Sequence, residues 1–221
     1  MSALFIIVAA VGYFLGAIPF GFVLVKIFRG EDIRLSGSGN IGATNVARSG
    51  AKGLGVATLV LDALKGLLAV WFALALGNST YNSCGTNGAC VPVTRLMAAS
   101  ALAAVLGHIF PVWLKFRGGK GVAVAVGAFG LLFPKALLIA LVLFVLVVAI
   151  TRYVSLGSIL AAAVFPVAAY FVEHAKLPSV LLVSAIGALI VLKHSQNIRR
   201  LLAGAENRFG SKKSPAAGEH A

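Results

Sequence analysis

Charge is scarce in this sequence, and negative charge scarcer still. Of 221 residues, 11% are Asp, Glu, Lys or Arg, and only six are acidic. Soluble domains carry about 25% charged and about 45–50% apolar residues, whereas this chain is 60% hydrophobic with a mean hydropathy of +0.99. Too little polar surface remains to cover the apolar side chains, which excludes a water-soluble globule and makes lipid the expected solvent. Cysteine is also scarce. The two present, Cys84 and Cys90, exclude a disulfide-dense scaffold and fall short of a zinc ligand set. No metal or cofactor is expected. The net charge is +13, but no aromatic-basic interleaving or DNA-binding motif accompanies it, which excludes nucleic acid as the partner. Basic cytoplasmic loops and an anionic substrate are the two readings left, and they are compatible.

Long apolar runs are what the chain has in abundance. They extend over Ala3–Val25, Gly53–Leu76, Leu96–Leu114, Gly121–Ile150, Val154–Val172 and Leu177–Leu192. Five suit the ~17–25 residues of a membrane crossing. The fourth has 30 residues, about 45 Å as a straight helix against a hydrocarbon core of about 30 Å. Phe133-Pro134-Lys135 interrupts it, and both the missing amide of Pro134 and the charge of Lys135 resist the bilayer centre. Two helices, Gly121–Phe133 and Lys135–Ile150, are therefore expected. With that split there are seven crossings, the N-terminus outside and the C-terminus cytoplasmic. Fifteen of the nineteen Lys and Arg then fall in cytoplasmic segments; without it the basic tail would face outward, against the positive-inside rule. The fold expected is an all-α polytopic membrane bundle of about seven helices. It forms one domain over residues 1–209, followed by a disordered cytoplasmic tail, 210–221.

No basic region precedes the first run, and Lys26 and Arg29 follow it, which favours an uncleaved helix. Gly12 and Gly16 have the spacing of a small-residue packing face. Cys84 and Cys90 lie in an outward loop, 77–95, where either a disulfide or two free thiols fits.

The segment Ser36–Arg48, "SGSGNIGATNVAR", carries Gly37-x-Gly39-x-x-Gly42. A dinucleotide-binding turn would need a preceding strand and a following βαβ helix; here a membrane helix precedes it, and Asp62, 20 residues after Gly42, lies inside the next one. What the segment offers is anion chemistry. Glycines admit close approach to backbone amides, Ser36, Ser38, Asn40, Thr44 and Asn45 add neutral donors, and Arg48 adds a cationic fork. The following helix, expected from about Gly53, would turn its positive end to the same region.

Three further segments stand out. "HIFPVWLKFRGGKGV", His108–Val122, places Gly118, Gly119 and Lys120 in a second candidate anion loop, without the Ser or Thr of a Walker A motif. His108, expected about two turns before its helix ends, is either buried or within reach of the site. "RYVSLGS" sets Ser155 and Ser158 on one face of a helix, for packing or for the site. "KHSQNIRRLLAGAENRF" sets His194 and Asn197 at i, i+3, followed by Arg200 and Glu206 in what reads as a short interfacial helix. Asp62 and Lys65, also i, i+3, are ionisable groups inside a membrane helix, forming either a structural pair or an organiser of the site. All four segments lie on one membrane side in the seven-helix arrangement.

Taken in order, the four segments resemble the bacterial membrane glycerol-3-phosphate acyltransferases that use acyl phosphate (the PlsY family), over residues 1 to about 209. The two-cysteine loop is an elaboration outside that resemblance. It implies a seven-helix membrane enzyme of phospholipid synthesis in the bacterial inner membrane, its active site facing the cytoplasm. The implied reaction moves an acyl chain from acyl phosphate to the 1-hydroxyl of sn-glycerol 3-phosphate, giving lysophosphatidate and phosphate. The implied partners are those substrates, membrane lipid and the enzyme that makes acyl phosphate. By resemblance the reaction centre is Ser38, Arg48, Lys120, His194 and Asn197. Substrate binding falls to Ser36, Gly37, Gly39, Asn40, Gly42, Thr44, Asn45, Gly118, Gly119, Ser155, Ser158, Arg200 and Glu206.

The chain has neither a His-x4-Asp pair nor a Gly-x-Ser-x-Gly elbow, and an already activated acyl phosphate requires neither. Two proton acceptors are open for the attacking hydroxyl: the phosphate of glycerol 3-phosphate, with a second pKa near ~6, or His194. A transporter for phosphorylated metabolites is the alternative in a different class. It predicts charges along a central path, where this chain puts only Asp62 and Lys65.

Overall fold

The computed structural model describes residues 2–82 and 92–210, and among these every regular element is helical. The first apolar run is broken. Helix α1 (Ser2–Ala17) stops at Ile18-Pro19, and α2 (Phe20–Arg29) continues it. A 3-10 turn (Ile33–Leu35) and a short helix α3 (Ala43–Arg48) then lead to α4 (Lys52–Asn82). Helix α5 (Val93–Ile109) and a second 3-10 turn (Val112–Leu114) precede α6 (Val122–Leu132), α7 (Pro134–Thr151), α8 (Val154–Val172), α9 (Leu177–Lys193) and α10 (Ser195–Leu202).

Five segments are long and apolar enough to cross a bilayer: Ala3–Arg29, Lys52–Thr80, Val93–Leu114, Pro134–Thr151 and Val154–Val172. α9 and α10 make a further pair bent by 54°. The fourth run splits where expected. Phe133 leaves helical geometry (φ −147°), and Pro134, which has no amide to leave unpaired, opens α7. Glu173 accepts the amides of Lys135 (2.6 Å) and Ala136 (3.3 Å), so a carboxylate caps that helix start. α6 has 11 residues, about 16 Å, and covers only half of a ~30 Å core.

Two expectations shift. The outward loop is shorter than 77–95, because α4 runs on to Asn82; Thr80 Oγ1 bonds the carbonyls of Leu76 (2.9 Å) and Gly77 (3.0 Å), so this polar residue continues the helix. Cys84 and Cys90 lie outside the described residues, as does the tail beyond residue 210. His108 is the penultimate residue of α5 rather than two turns from its end. Pro111 disfavours the helical region for Phe110, which sits at φ −127°, ψ 59°.

Packing is built on small residues. α1 crosses α5 where Gly16 lies against the Ala104 carbonyl and Gly107 against that of Tyr13; a methyl at either would overlap an oxygen. α6 packs along α4, and α7 along α8. Phe129 of α6 and Phe165 of α8 stack at 3.6 Å. The outer face of α7 (Leu138, Val142, Val145, Leu146, Ile150) stays exposed, as a lipid-facing helix requires. Short connections return successive helices through the bundle. The end of α2, the start of α4, the end of α5, the start of α6, the α7–α8 turn and the α9–α10 corner thus gather at one end.

Candidate active site

That end of the bundle is where the four segments meet. In the first, Gly37 (φ +60°) and Gly39 (φ +69°) take left-handed turns that fold the loop around Asn45 of α3. Asn45 is buried, and its side chain is fully employed. Its Oδ1 accepts the Ser38 amide (2.9 Å) and hydroxyl (3.2 Å), and its Nδ2 donates to the carbonyls of Asn40 (2.8 Å), Ser36 (3.0 Å) and Ile33 (3.3 Å). Asn40 Oδ1 accepts the Gly42 amide (2.8 Å), and the Gly39 amide donates to Ser36 O (3.0 Å). No strand adjoins the loop among the described residues, so the dinucleotide geometry is absent.

The Gly39 and Gly42 amides are therefore not the outward donors that the sequence suggested; they are consumed in building the turn. The same correction applies to the second loop. The Gly118 amide donates to Ile109 O (3.1 Å) and the Gly119 amide to His108 O (3.0 Å), which hangs the loop from the last turn of α5. A methyl on Gly118 would overlap the His108 carbonyl, and one on Gly119 the His108 ring. Side chains are what the loops present.

The centre is a polar chain through three elements. Lys120 Nζ donates to Asn197 Oδ1 (2.6 Å), and Asn197 Nδ2 donates to Glu206 Oε1 (2.7 Å). Glu206, buried beyond α10, also accepts Ser155 Oγ (2.9 Å) at the start of α8 and Arg200 Nε (2.7 Å). Arg152 Nε bonds Phe209 O (3.1 Å) and so pins the segment after Glu206 to the α7–α8 turn. Burial opposes the charge of Glu206, but the hydrogen bonds from Asn197, Arg200 and Ser155 outweigh it and hold the carboxyl below its usual range. Burial, with Arg200 and Arg48 nearby, brings the Lys120 ammonium down to about 8. Burial and then the charge of Lys120 bring His194 down to about 4, so the ring is neutral at neutral pH. Its Nδ1 lies 2.7 Å from the Ile190 carbonyl, which puts the proton on that nitrogen and leaves the Nε2 lone pair open.

A cavity of about 220 Å³ opens between these parts. Of the expected residues, Ser38, Asn40, Gly118, Lys120, Asn197 and Arg200 line it. Arg48 and Thr44 are exposed on α3, and Arg48 is near enough to depress Lys120. Gly119, Asn45, Ser155, His194 and Glu206 are buried and do not line it, nor do the half-buried Ser36 and Gly42 or the exposed Gly37. Ser158 turns back onto the Val154 carbonyl (2.9 Å) and does not join the polar chain. Lys193, Ser195 and Gln196 also line the cavity; the signal for them was adjacency to His194 within one motif. A second cavity, about 370 Å³, lies across Gly39 and Gly118 and is lined by Asp32, Arg34 and Arg117. Arg34 pairs with Asp32 (2.6 Å) and, through that hydrogen bond first, pulls its carboxyl down to about 2.

The family model described as glycerol-3-phosphate acyltransferase matches residues 6–204. A relative of that name from Rhodopseudomonas palustris (strain BisB5) is 44% identical over 213 residues, covering 96% of this chain and all of its own. Another, from Syntrophotalea carbinolica, is 48% identical over 210 residues, covering 95% and 99%. Among solved structures, the crystal structure of PlsY, an integral membrane glycerol 3-phosphate acyltransferase, is similar in its glycerol 3-phosphate form. Its TM-score is 0.80 at 37% identity, covering 93% of this chain and 96% of that one. Its lysophosphatidic acid form gives 0.77 at 36%, covering 93% and 95%. The broken first span, the glycine loops hung on α3 and α5 and the Lys120–Asn197–Glu206 chain are thus the parts of an integral membrane protein that belongs to the glycerol-3-phosphate acyltransferase family.

Proposed function

We propose that this chain transfers an acyl group from acyl phosphate to the 1-hydroxyl of sn-glycerol 3-phosphate, releasing lysophosphatidate and inorganic phosphate. The observation that carries the reading is the cavity where Lys120, held by Asn197, faces Ser38 and Asn40. Both substrates are phosphate-bearing. The site supplies Lys120, Lys193 and Arg200 around one opening, with Arg48 beside it and few carboxylates to compete.

In the reaction the glycerol oxygen attacks the acyl carbonyl carbon, and the carbon–oxygen bond to phosphate breaks with its electron pair leaving on phosphate. Negative charge grows on the carbonyl oxygen and then on the leaving group. A fixed ammonium stabilises that charge without reorganising, because Asn197 and Glu206 already hold it in place. Ser38 and Asn40 orient the phosphate groups, and Arg48 and Arg200 neutralise them. The hydroxyl proton passes to the phosphate of glycerol 3-phosphate. A neutral His194 brought down to about 4 is a weak base, and the ring stands behind the cavity wall.

We place the site on the cytoplasmic face of the bacterial inner membrane, with residues 1–209 as one domain. Fifteen of nineteen Lys and Arg support that orientation when α6 is counted as a short seventh crossing. The shortness of α6 supports a site sunk below the lipid surface, level with the head group of a membrane-dissolved donor. The partner implied is an enzyme that makes acyl phosphate. The test supplies purified protein with palmitoyl phosphate and glycerol 3-phosphate and looks for lysophosphatidate. Parallel reactions with acyl-CoA and acyl-carrier protein check the donor; a faster acyl-CoA reaction overturns the assignment.

A further inference from the structure

We propose that Asp62, Lys65 and His108, buried together inside the membrane helices, are positioning residues that set the height of the Gly118–Gly119–Lys120 loop. The inference rests on the acyltransferase reading of that loop. Asp62 and Lys65 are each 2% exposed, and their charges meet at 2.8 Å. Two ions taken out of water cost several kcal/mol each before pairing, and an apolar pair would hold a helix at less cost. What an apolar pair would not supply is the rest of the ammonium's bonding. Lys65 Nζ also donates to the Ile18 carbonyl (2.6 Å), which the break before Pro19 releases from its helix, and to His108 Nδ1 (3.0 Å). The ammonium thus has hydrogen-bond partners at the α1–α2 break and on α5, besides its ion pair with Asp62 on α4.

The bond to His108 fixes the imidazole. An ammonium only donates, so Nδ1 accepts and the ring proton sits on Nε2. That edge of the ring forms the floor under Gly119. The three atoms that a Gly119 methyl would meet first are His108 Nε2, Cε1 (2.7 Å) and Cδ2 (2.9 Å). Above the ring, the Gly119 amide holds the His108 carbonyl at 3.0 Å. The loop is therefore gripped by both main chain and side chain of one residue, and the next residue is Lys120, whose Nζ reaches Asn197. A shift of the ring moves Gly119, and Lys120 moves with it. Asp62 Oδ1 accepts no aligned hydrogen bond and is compensated by the Lys65 charge alone, with His108 Nδ1 at 3.7 Å. Removing either charged partner would strand the other and endanger folding, so His108 is the residue to change.

His108→Ala is expected to lower kcat/KM on the order of 10²-fold, as small displacements of positioning groups do, by raising KM for the phosphate substrates as well as lowering kcat, because Lys120 faces both the bound phosphates and the charge that grows on the leaving group. Partial misfolding would instead lower kcat at constant KM, because it only reduces the amount of active protein. His108→Gln, whose longer side chain brings an amide to the place of the lost Nε2 under Gly119, is expected to recover most of the loss. Gly119→Ala drives a methyl into the ring, and His108→Ala removes that ring, so the double variant is expected to exceed Gly119→Ala alone. The proposal is overturned by a KM unchanged in His108→Ala, by His108→Gln as impaired as alanine, or by losses that simply multiply in the double variant. Formation of lysophosphatidate by the unaltered chain tests the acyltransferase reading separately. If that chain forms none, the same comparisons are made on Kd for inorganic phosphate, where an equal Kd in His108→Ala overturns the positioning unit on its own.

Discussion

The two glycine-rich loops at the site look alike in sequence and are built on opposite plans. Residues 36–48 form a self-contained turn. Gly37 and Gly39 are there for positive φ, and one uncharged side chain, Asn45, ties the segment to itself through four hydrogen bonds and to the neighbouring Ile33 carbonyl through a fifth. Residues 118–121 have no such internal brace. Gly118 and Gly119 are there for close approach, the loop hangs from α5, and Lys120 is held from across the bundle by Asn197. A turn braced from within should fail locally and through stability. A loop suspended between helices should fail at a distance and through catalysis.

The largest effect expected falls on the suspended loop. Lys120→Met removes the one ammonium aimed into the cavity from that loop and should lower kcat on the order of 10²–10³-fold, the range for losing a single transition-state donor, with little change in unfolding temperature. Lys120→Arg keeps the charge and separates it from the shape. The wild-type rate should fall as pH rises through about 8, where Lys120 loses its proton, and in the arginine variant that limb should move upward. A basic limb unmoved by the substitution would assign it to another group.

Asn45→Ala should act on the other plan. It strips acceptors and donors from a buried turn, at a cost of about 1–3 kcal/mol for each group left unsatisfied. The expected outcome is a lowered unfolding temperature together with lost activity. Asn45→Asp keeps the acceptor for Ser38 but turns oxygen toward three carbonyls, so it should be no better. Gly39→Ala is smaller again, about 1–2 kcal/mol for forcing a Cβ into the left-handed region, and reads out in the same unfolding measurement. If Asn45→Ala left stability intact and abolished binding only, the contrast between the plans would collapse.

Much of this was legible in the chain itself. Four motifs in order identified the family resemblance, Pro134 and Lys135 marked the split between α6 and α7, and the distribution of Lys and Arg gathered the motifs on one side. The way the parts work was less legible. Asn45 looked like a ligand group because a side-chain amide reads the same whether it faces phosphate or three carbonyls; only the positive φ of Gly37 and Gly39 turns those carbonyls inward. α3 is not legible as a helix, since Thr44, Asn45 and Val46 are poor helix formers and tertiary bonds hold them. The role of Glu206 as receptor for Ser155, Asn197 and Arg200 depends on a return of the chain to α8 that no local pattern encodes. For His108 the sequence fits either burial or the site. It is buried, and it supports the loop from there.

The smallest expected change concerns His194, which is buried near Lys120 of the suspended loop. A group brought down to about 4 is deprotonated throughout the neutral range, so an acid limb near pH 6 would not be its titration. The second ionisation of a phosphate monoester, near ~6, would produce that limb instead, with the rate rising as the substrate dianion becomes available to take the hydroxyl proton. His194→Ala should therefore alter the height of the pH–rate profile while leaving the acid limb where it is. A phosphonate analogue of glycerol 3-phosphate, whose second ionisation differs from that of the phosphate, should move the limb in both enzymes alike. A limb that vanishes with His194 and ignores the substrate would transfer the proton to the imidazole.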